Sequence, residues 1–244
     1  ERIYLKFEGV YHLARVFLNG EYIGSHRGGF TPFEFDVTDW IKADSENLLA
    51  VEADNNFLVG ATWNWGGIIR DVSLVKSNDL RITYQYIHAE PDLESGEAAL
   101  SLVVRLENKS RVAREVAVRS TVSREKERPL ALESLAGTVQ VPPGAVREIE
   151  LSGMLEREDV DLWHFDTPHL YRIETLVSDG GEVLDRRPDR FGIRKIEVDD
   201  THFYLNGEPV RLAGLNRISD HRYWGSSEPR EIIDRDIDLM KNAG

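Results

Sequence analysis

Cysteine is absent from the 244 residues, so neither a disulfide nor a thiolate metal site can form. That absence fits the cytoplasm and a bacterial envelope equally. No run of about 18 apolar residues occurs, the length that a membrane-spanning helix requires, so no membrane partner is expected. Positive charge is scarce: 30 Lys and Arg stand against 43 Asp and Glu, a formal net charge of −13. Such a chain repels phosphate backbones, which argues against a nucleic-acid partner. Position 1 is Glu1 rather than methionine, and the chain opens directly into an alternating strand pattern. It stops at Gly244, just after a helical pattern, so the expectation is a piece cut from something longer. Hydrophobic residues make up 41%, enough for packed cores, and the length leaves room for one large domain or two to three smaller ones.

What is present is mainly β. Residues 2–8 alternate, with Ile3, Leu5 and Phe7 on one side and Tyr4, Lys6 and Glu8 on the other, the pattern of a half-buried strand. Asn19-Gly20 lies between apolar runs and predicts a type I′ hairpin turn, which needs two positive φ angles. Gly28-Gly29 marks a loop. Phe33, Phe35 and Val37, then Leu49, Val51 and Ala53, then residues 68–75 supply further strands. Short strands separated by glycine-rich turns read as a sandwich or jelly roll. Residues 79–195 repeat the theme. Ile82, Tyr84 and Tyr86 are expected to share one face, and Leu100, Leu102, Val104 and Leu106 another. Val116, Val118 and Val122 follow, then Val139 and Val141 before Pro142-Pro143-Gly144. Tyr171, Ile173 and Val177 run into Asp179-Gly180-Gly181, a second hairpin turn. About seven short strands in roughly 110 residues is an immunoglobulin-like pattern, here without the Cys–Trp–Cys core of antibody domains.

From about residue 197 the period changes. Asn206-Gly207 predicts another hairpin, and Val210, Leu212 and Ala213 a strand. After a polar loop, Ile233, Ile237 and Met240 fall at i, i+4 and i+7, one apolar helix face. Ser227 is the expected N-cap, with Pro229 in the first turn. Strand, loop and helix make one β/α unit. Alone it cannot cover both sides of its strand, so a larger parallel α/β domain is implied.

The stretch NWGGIIRDV, Asn64 to Val72, sets an aromatic ring and a pliable glycine pair directly before a strand. By itself it reads as a turn in which the glycines bend the chain and the tryptophan fills the core. Arg70 is expected to share a buried face with Ile68, Val72 and Leu74, and so to need a carboxylate or carbonyl partner. Asp54, Asn55 and Asn56 read as an ordinary polar turn, and no metal site is predicted. The many carboxylates fall mostly at polar strand positions, where a solvated face explains them.

Six segments in order, FEGVYHLARVFLNGEYIG, GGFTPFEFDVTDWI, NWGGIIRDVSLV, TPHLYRIETLV, RFGIRKI and FYLNGEPVRLAGLNR, together resemble the family 2 glycoside hydrolases, which include β-galactosidases and β-glucuronidases. The resemblance implies a sugar-binding jelly roll over residues 1–78 that lacks its N-terminal strands. An immunoglobulin-like β-sandwich over 79–196 would follow, and then, over 197–244, the first β/α unit of a TIM-barrel catalytic domain. It implies retaining hydrolysis through two glutamates, both on barrel strands beyond Gly244. No catalytic residue is therefore assigned within the chain, no cofactor is implied, and the 244 residues are expected to be inactive alone.

Residues after a barrel strand face the active site, which makes Asn216, Arg217, Asp220 and His221 substrate-binding candidates. The resemblance also implies that the NWGGI loop leans over the barrel mouth and shapes the sugar pocket, which adds Trp63 and Trp65, because aromatic faces stack on C–H surfaces while the rim stays wet. Many family members read Asn-Arg-His-Glu-Asp-His here. Ile218 and Ser219 depart from that pattern. The histidine that Ile218 replaces is associated with galactoside recognition, and galactosidases carry an acid where Ala61 stands, so the comparison tilts towards glucuronides or other sugars. The structural alternatives are a salt bridge for Arg217 and a satisfied loop pair for Asp220 and His221. The implied partners are a β-glycoside and the rest of the barrel. A second copy is also expected, because an open sheet edge at residue 1 invites pairing. The competing expectation is a non-catalytic carbohydrate-binding or adhesion module of two β-sandwiches. The Asn-Arg loop and the amphipathic helix speak against it.

Overall fold

A computed structural model describes residues 1–56, 65–124, 130 and 135–243. The chain divides into two compact units, Glu1–Lys76 with Leu215–Gly244, and Ser77–Gly214. The first unit contains β1 (Arg2–Phe7), β2 (Val10–Tyr11), β3 (Leu13–Leu18), β4 (Glu21–Arg27), β5 (Phe33–Asp36), β6 (Leu49–Asp54), β7 (Gly67–Ile68) and β8 (Val72–Ser77). They form sheets ordered β5-β1-β8, β4-β3-β6 and β2-β7. Leu5, Phe7, Val10, Ala14, Val16, Leu18 and Val37 make the core. Asn19 and Gly20 take φ values of 55° and 89°, and Leu18 pairs with Glu21 across them, the two-residue turn that Asn-Gly favours.

Three expectations change in this unit. Tyr4 is buried as well as Leu5 and Phe7, so both faces of β1 are covered at that point. β1 is the middle strand of its sheet, and the edges are β5 and β8; the open edge expected at residue 1 is not there. Residues 68–75 are two strands, not one. Between them the Ile69 N–H donates to the Gly9 carbonyl at 3.1 Å and the Glu8 N–H to the Asp71 carbonyl at 2.9 Å. This break, after Gly67 at φ 102°, shifts the alternation: Ile69 is buried, whereas Ile68, Arg70 and Leu74 are exposed.

The second unit holds β9 (Leu80–Pro91), β10 (Ala98–Asn108), β11 (Arg114–Arg124), β12 (Ala136–Val141), β13 (Val146–Leu155), β14 (Tyr171–Asp179) and β15 (Glu182–Phe191). Two antiparallel sheets, β13-β10-β9 and β12-β11-β14-β15, close on one core. Leu100, Leu102, Val104 and Leu106 meet Val116, Val118, Val122, Ile173 and Val177 there. This is an immunoglobulin-like sandwich in which the fourth strand joins the third, rather than the first sheet as in constant-type domains. Tyr171 opens the sixth strand and stacks on Phe191 at 5.3 Å. Its hydroxyl donates to the Asp159 carbonyl at 2.6 Å and accepts the Asp161 N–H at 2.7 Å. That is the tyrosine corner of such sandwiches, a back-bond from the start of the sixth strand to backbone upstream.

On β9 the register slips. Arg105 pairs with Tyr84 but Leu106 pairs with Ile82, so Thr83 is the extra residue of a β-bulge. Ile82 therefore points into the core, while Tyr84 and Tyr86 are 41% and 49% exposed; the three do not share a face. Gln85 is turned inward instead, and neither polar atom of its amide has a hydrogen-bond partner among the described residues. An unsatisfied buried polar group costs about 1–3 kcal/mol.

β16 (Ile196–Val198), β17 (Phe203–Leu205) and β18 (Glu208–Val210) complete the strands. Asn206 and Gly207, at φ 54° and 82°, form the expected hairpin. The strand expected through Leu212 and Ala213 stops at Val210, and residues 211–220 form no ladder with any described segment. A strand persists through its inter-strand hydrogen bonds, and here nothing described supplies them. α1 (Arg230–Asn242) has Pro229 at its N-cap, with φ −60° and ψ 150°, and no side-chain cap. Ser227 lies two residues too early, because the residue before a proline is pushed out of the helical region. α1 buries none of its residues fully, and no described helix is long and apolar enough to cross a membrane.

Candidate functional site

Within the first unit, the Trp65 indole N–H donates to Asp220 Oδ1 at 2.8 Å across 155 residues of sequence. The indole is 48% exposed. It lies against the backbone of Gly225, where an added Cβ would sit 2.8 Å from two ring carbons. Gly225 at φ +54° is thus required twice, for its left-handed conformation and for the close approach of the ring. His221 holds this turn. Its N–H donates to the Gly225 carbonyl at 3.0 Å, and its carbonyl accepts the Gly225 N–H at 2.7 Å and the Trp224 N–H at 3.2 Å. The imidazole Nδ1 accepts the Tyr223 N–H at 3.3 Å. Tyr223 and Trp224 are exposed beside it.

Arg217 has a different place. Its Nε and Nη2 donate to Asp236 Oδ2 at 3.1 and 2.8 Å, and its Nη1 donates to Glu228 Oε2 at 2.8 Å and Ser219 Oγ at 3.3 Å. The hydrogen bonds it donates to the Glu228 and Asp236 carboxylates push the guanidinium pKa still higher. The arginine is a fixed cation that ties the Asn-Arg loop to α1. Asn216 is exposed. Trp63 and Ala61 lie outside the described residues. Arg70 is not buried. It donates to the Phe30 carbonyl at 3.3 Å, and its guanidinium is 6.0 Å from the Phe30 ring centre.

A groove of about 650 Å³ is lined by Ile68, Arg70, Asp71, Glu228, Arg230 and Ile233, with both signs of charge on its walls. Asp54 Oδ1 accepts the Asn56 N–H at 2.8 Å, a side-chain-closed turn. Among the described residues no group of three His, Asp or Glu converges on one point.

The structure thus brings Trp65, Asp220 and His221 together and sets Arg217 in an internal ion-pair network. Sequence reasoning missed Glu228, Asp236 and Gly225. Their spacing to Arg217 and Trp65 follows no helical or strand period; only the loop path joins them.

The family model for the sugar binding domain of Glycosyl hydrolases family 2 matches residues 1–78, and that for Glycosyl hydrolases family 2 matches residues 80–194. A β-galactosidase of Thermoanaerobacter pseudethanolicus is 32% identical over 252 residues, covering 99% of this chain and 32% of that protein. A β-glucuronidase of Bacteroides fragilis is 29% identical over 259 residues, covering 100% of this chain and 36% of that protein. The crystal structure of Bacteroides uniformis β-glucuronidase superposes with a TM-score of 0.88 at 26% identity, covering 98% of this chain and 30% of that one. The chain spans about a third of the length of the curated relatives it matches. With two successive stretches matched in chain order by models of one family, the chain belongs to glycoside hydrolase family 2.

Proposed function

We propose that the chain is the N-terminal portion of a retaining β-glycosidase that hydrolyses O-glycosidic bonds of a β-galactoside, a β-glucuronide or a related sugar. In this reading residues 1–78 are a sugar-binding jelly roll, 79–196 an immunoglobulin-like sandwich, and 197–244 the first β/α unit of a catalytic barrel. The observation that carries it is the Trp65–Asp220 hydrogen bond. It joins the NWGGI segment to the Asn-Arg loop and leaves an aromatic face half exposed beside that loop.

Retaining hydrolysis needs two carboxyl groups about 5–5.5 Å apart, one as nucleophile and one as acid and then base. Those groups would lie beyond Gly244, in the barrel that completes the site, and the reaction would use no organic cofactor. This portion supplies a wall. The Trp65 ring offers an apolar surface to a sugar face, Asp220 fixes the ring's tilt, and Asn216 and His221 edge the same loop. Arg217, saturated by carboxylates, holds the loop rather than the sugar. The departures at Ile218 and Ala61 favour a glucuronide or another sugar over a simple galactoside.

Nitrophenyl β-galactoside and β-glucuronide assays test this. The 244-residue chain should turn over neither. In the longer parent chain, Trp65→Ala should raise KM by about tenfold with a smaller change in kcat, the signature of lost uniform binding. Turnover by the 244 residues alone, or an unchanged KM, would refute the reading.

A further inference from the structure

The bulge at Thr83 sorts β9 against its own chemistry. It turns two tyrosines out of the core and buries an amide for which no described group supplies a hydrogen bond. A straight strand would do the reverse. Bulges re-aim side chains beside functional sites, and local rules are broken where function requires it. Beyond the bulge, Tyr84, Tyr86, His88 and Glu90 stand in one row on the outer face of the β13-β10-β9 sheet. The Tyr86 and His88 rings are 6.5 Å apart and within 4° of parallel. Arg105, held by Glu148 at 2.8 Å, lies 5.1 Å over the Tyr84 ring. Ser101 is opposite His88, and Ser152 is opposite Ser101. A groove of about 510 Å³ follows the strip past Glu90, Ser101, Ser152 and Met154. Single exposed aromatics are ordinary; a clustered exposed patch marks an interaction surface.

From this face we infer that the second unit binds a linear, uncharged polysaccharide, its sugar rings stacked on Tyr86 and His88. A pyranose presents C–H bonds on its faces and hydroxyls around its rim. Parallel rings at strand spacing meet the faces of neighbouring units, and the serine hydroxyls and the Glu90 carboxylate meet the rim. The charge selects the chain. Beyond the bulge the face carries Glu90, Glu148 and Glu150 against one arginine, Arg105, which Glu148 already occupies, so a polyuronate is repelled. A second copy of this chain, of net charge −13, would bring the same carboxylates face to face, which like charges oppose. The face belongs to a different unit from Trp65, so its binding and the role of the Trp65 loop can fail separately.

Native gel electrophoresis of the 244-residue chain through xylan, galactan or mixed-linkage β-glucan, with polygalacturonate as the anionic control, tests the inference. At least one neutral polysaccharide should retard the chain and polygalacturonate should not. Tyr86→Ala, at an exposed position and with unchanged circular dichroism, should weaken the retardation about three- to tenfold, the range of one aromatic stacking contact. No retardation by any neutral chain, equal retardation by polygalacturonate, or an unaltered Tyr86→Ala would overturn it. So would concentration-dependent dimerisation that Tyr86→Ala abolishes, which would make the face an interface between copies.

Discussion

Replacing Tyr171 by Phe removes one oxygen atom and two hydrogen bonds from the second unit while leaving its ring against Phe191. The hydroxyl donates at 2.6 Å and accepts at 2.7 Å, and the side chain is fully buried. A net contribution of about 0.5–1.5 kcal/mol per hydrogen bond gives a loss of about 1–3 kcal/mol, with the Asp161 N–H and Asp159 carbonyl left to find new partners. Native-state hydrogen exchange reads the loss unit by unit. Protection at Leu102 and Val104 should fall by that amount, and protection at Val16, in the first unit, should not change. Alkaline titration adds a second signature. Burial pushes the phenol above its ordinary value, so the folded state holds its proton longer than the unfolded chain does. The contribution is then complete below the unfolded value of about 10 and is lost as pH rises through the folded one. Tyr171→Phe should remove that alkaline step. A loss under about 0.5 kcal/mol, less than one ordinary hydrogen bond, or one shared equally by both units, would refute the tyrosine-corner argument.

Two further outcomes follow from the same geometry. The Asp199 carboxyl accepts hydrogen bonds from the Tyr204 hydroxyl and the backbone N–H groups of Thr201 and His202, which lower its pKa to about 2. The stabilisation is present above the unfolded value of about 3.9 and lost as pH falls through about 2; a carboxyl resonance titrating near 4 by NMR would contradict it. Gly225→Ala puts a methyl group where the Trp65 ring lies and strains a left-handed residue by about 1 kcal/mol. It should shift the emission of Trp65 in a chain whose other tryptophans are changed to Phe, and an unshifted spectrum would mean that the ring does not rest on Gly225.

Local sterics made part of the fold legible. Asn19-Gly20, Gly180-Gly181 and Asn206-Gly207 adopt positive φ at both positions, because few other residue pairs tolerate it. Leu100 to Leu106 alternate without interruption, and their face is the core. The six motif segments pointed to the family that both family models match. The apolar period of α1 was also visible, although its start was misplaced by two residues because Pro229 outranks Ser227 as a boundary.

What the amino-acid order could not convey was register and partnership. Whether β1 is an edge depends on where β5 and β8 return. Whether Tyr84 faces in or out depends on one inserted residue opposite β10, since a slip of one position exchanges the two faces of a strand. Arg70 looked buried on a continuous strand and is exposed because the strand breaks. Arg217 looked like a pocket residue, and its carboxylate partners come from a loop and a helix turn that no short-range pattern links to it. Turns and periodicities were set by each residue's own backbone and side-chain sterics, which the sequence carries locally. Pairing, exposure and the Trp65–Asp220 contact were decided by segments far apart in the chain, whose meeting is a property of the folded backbone alone.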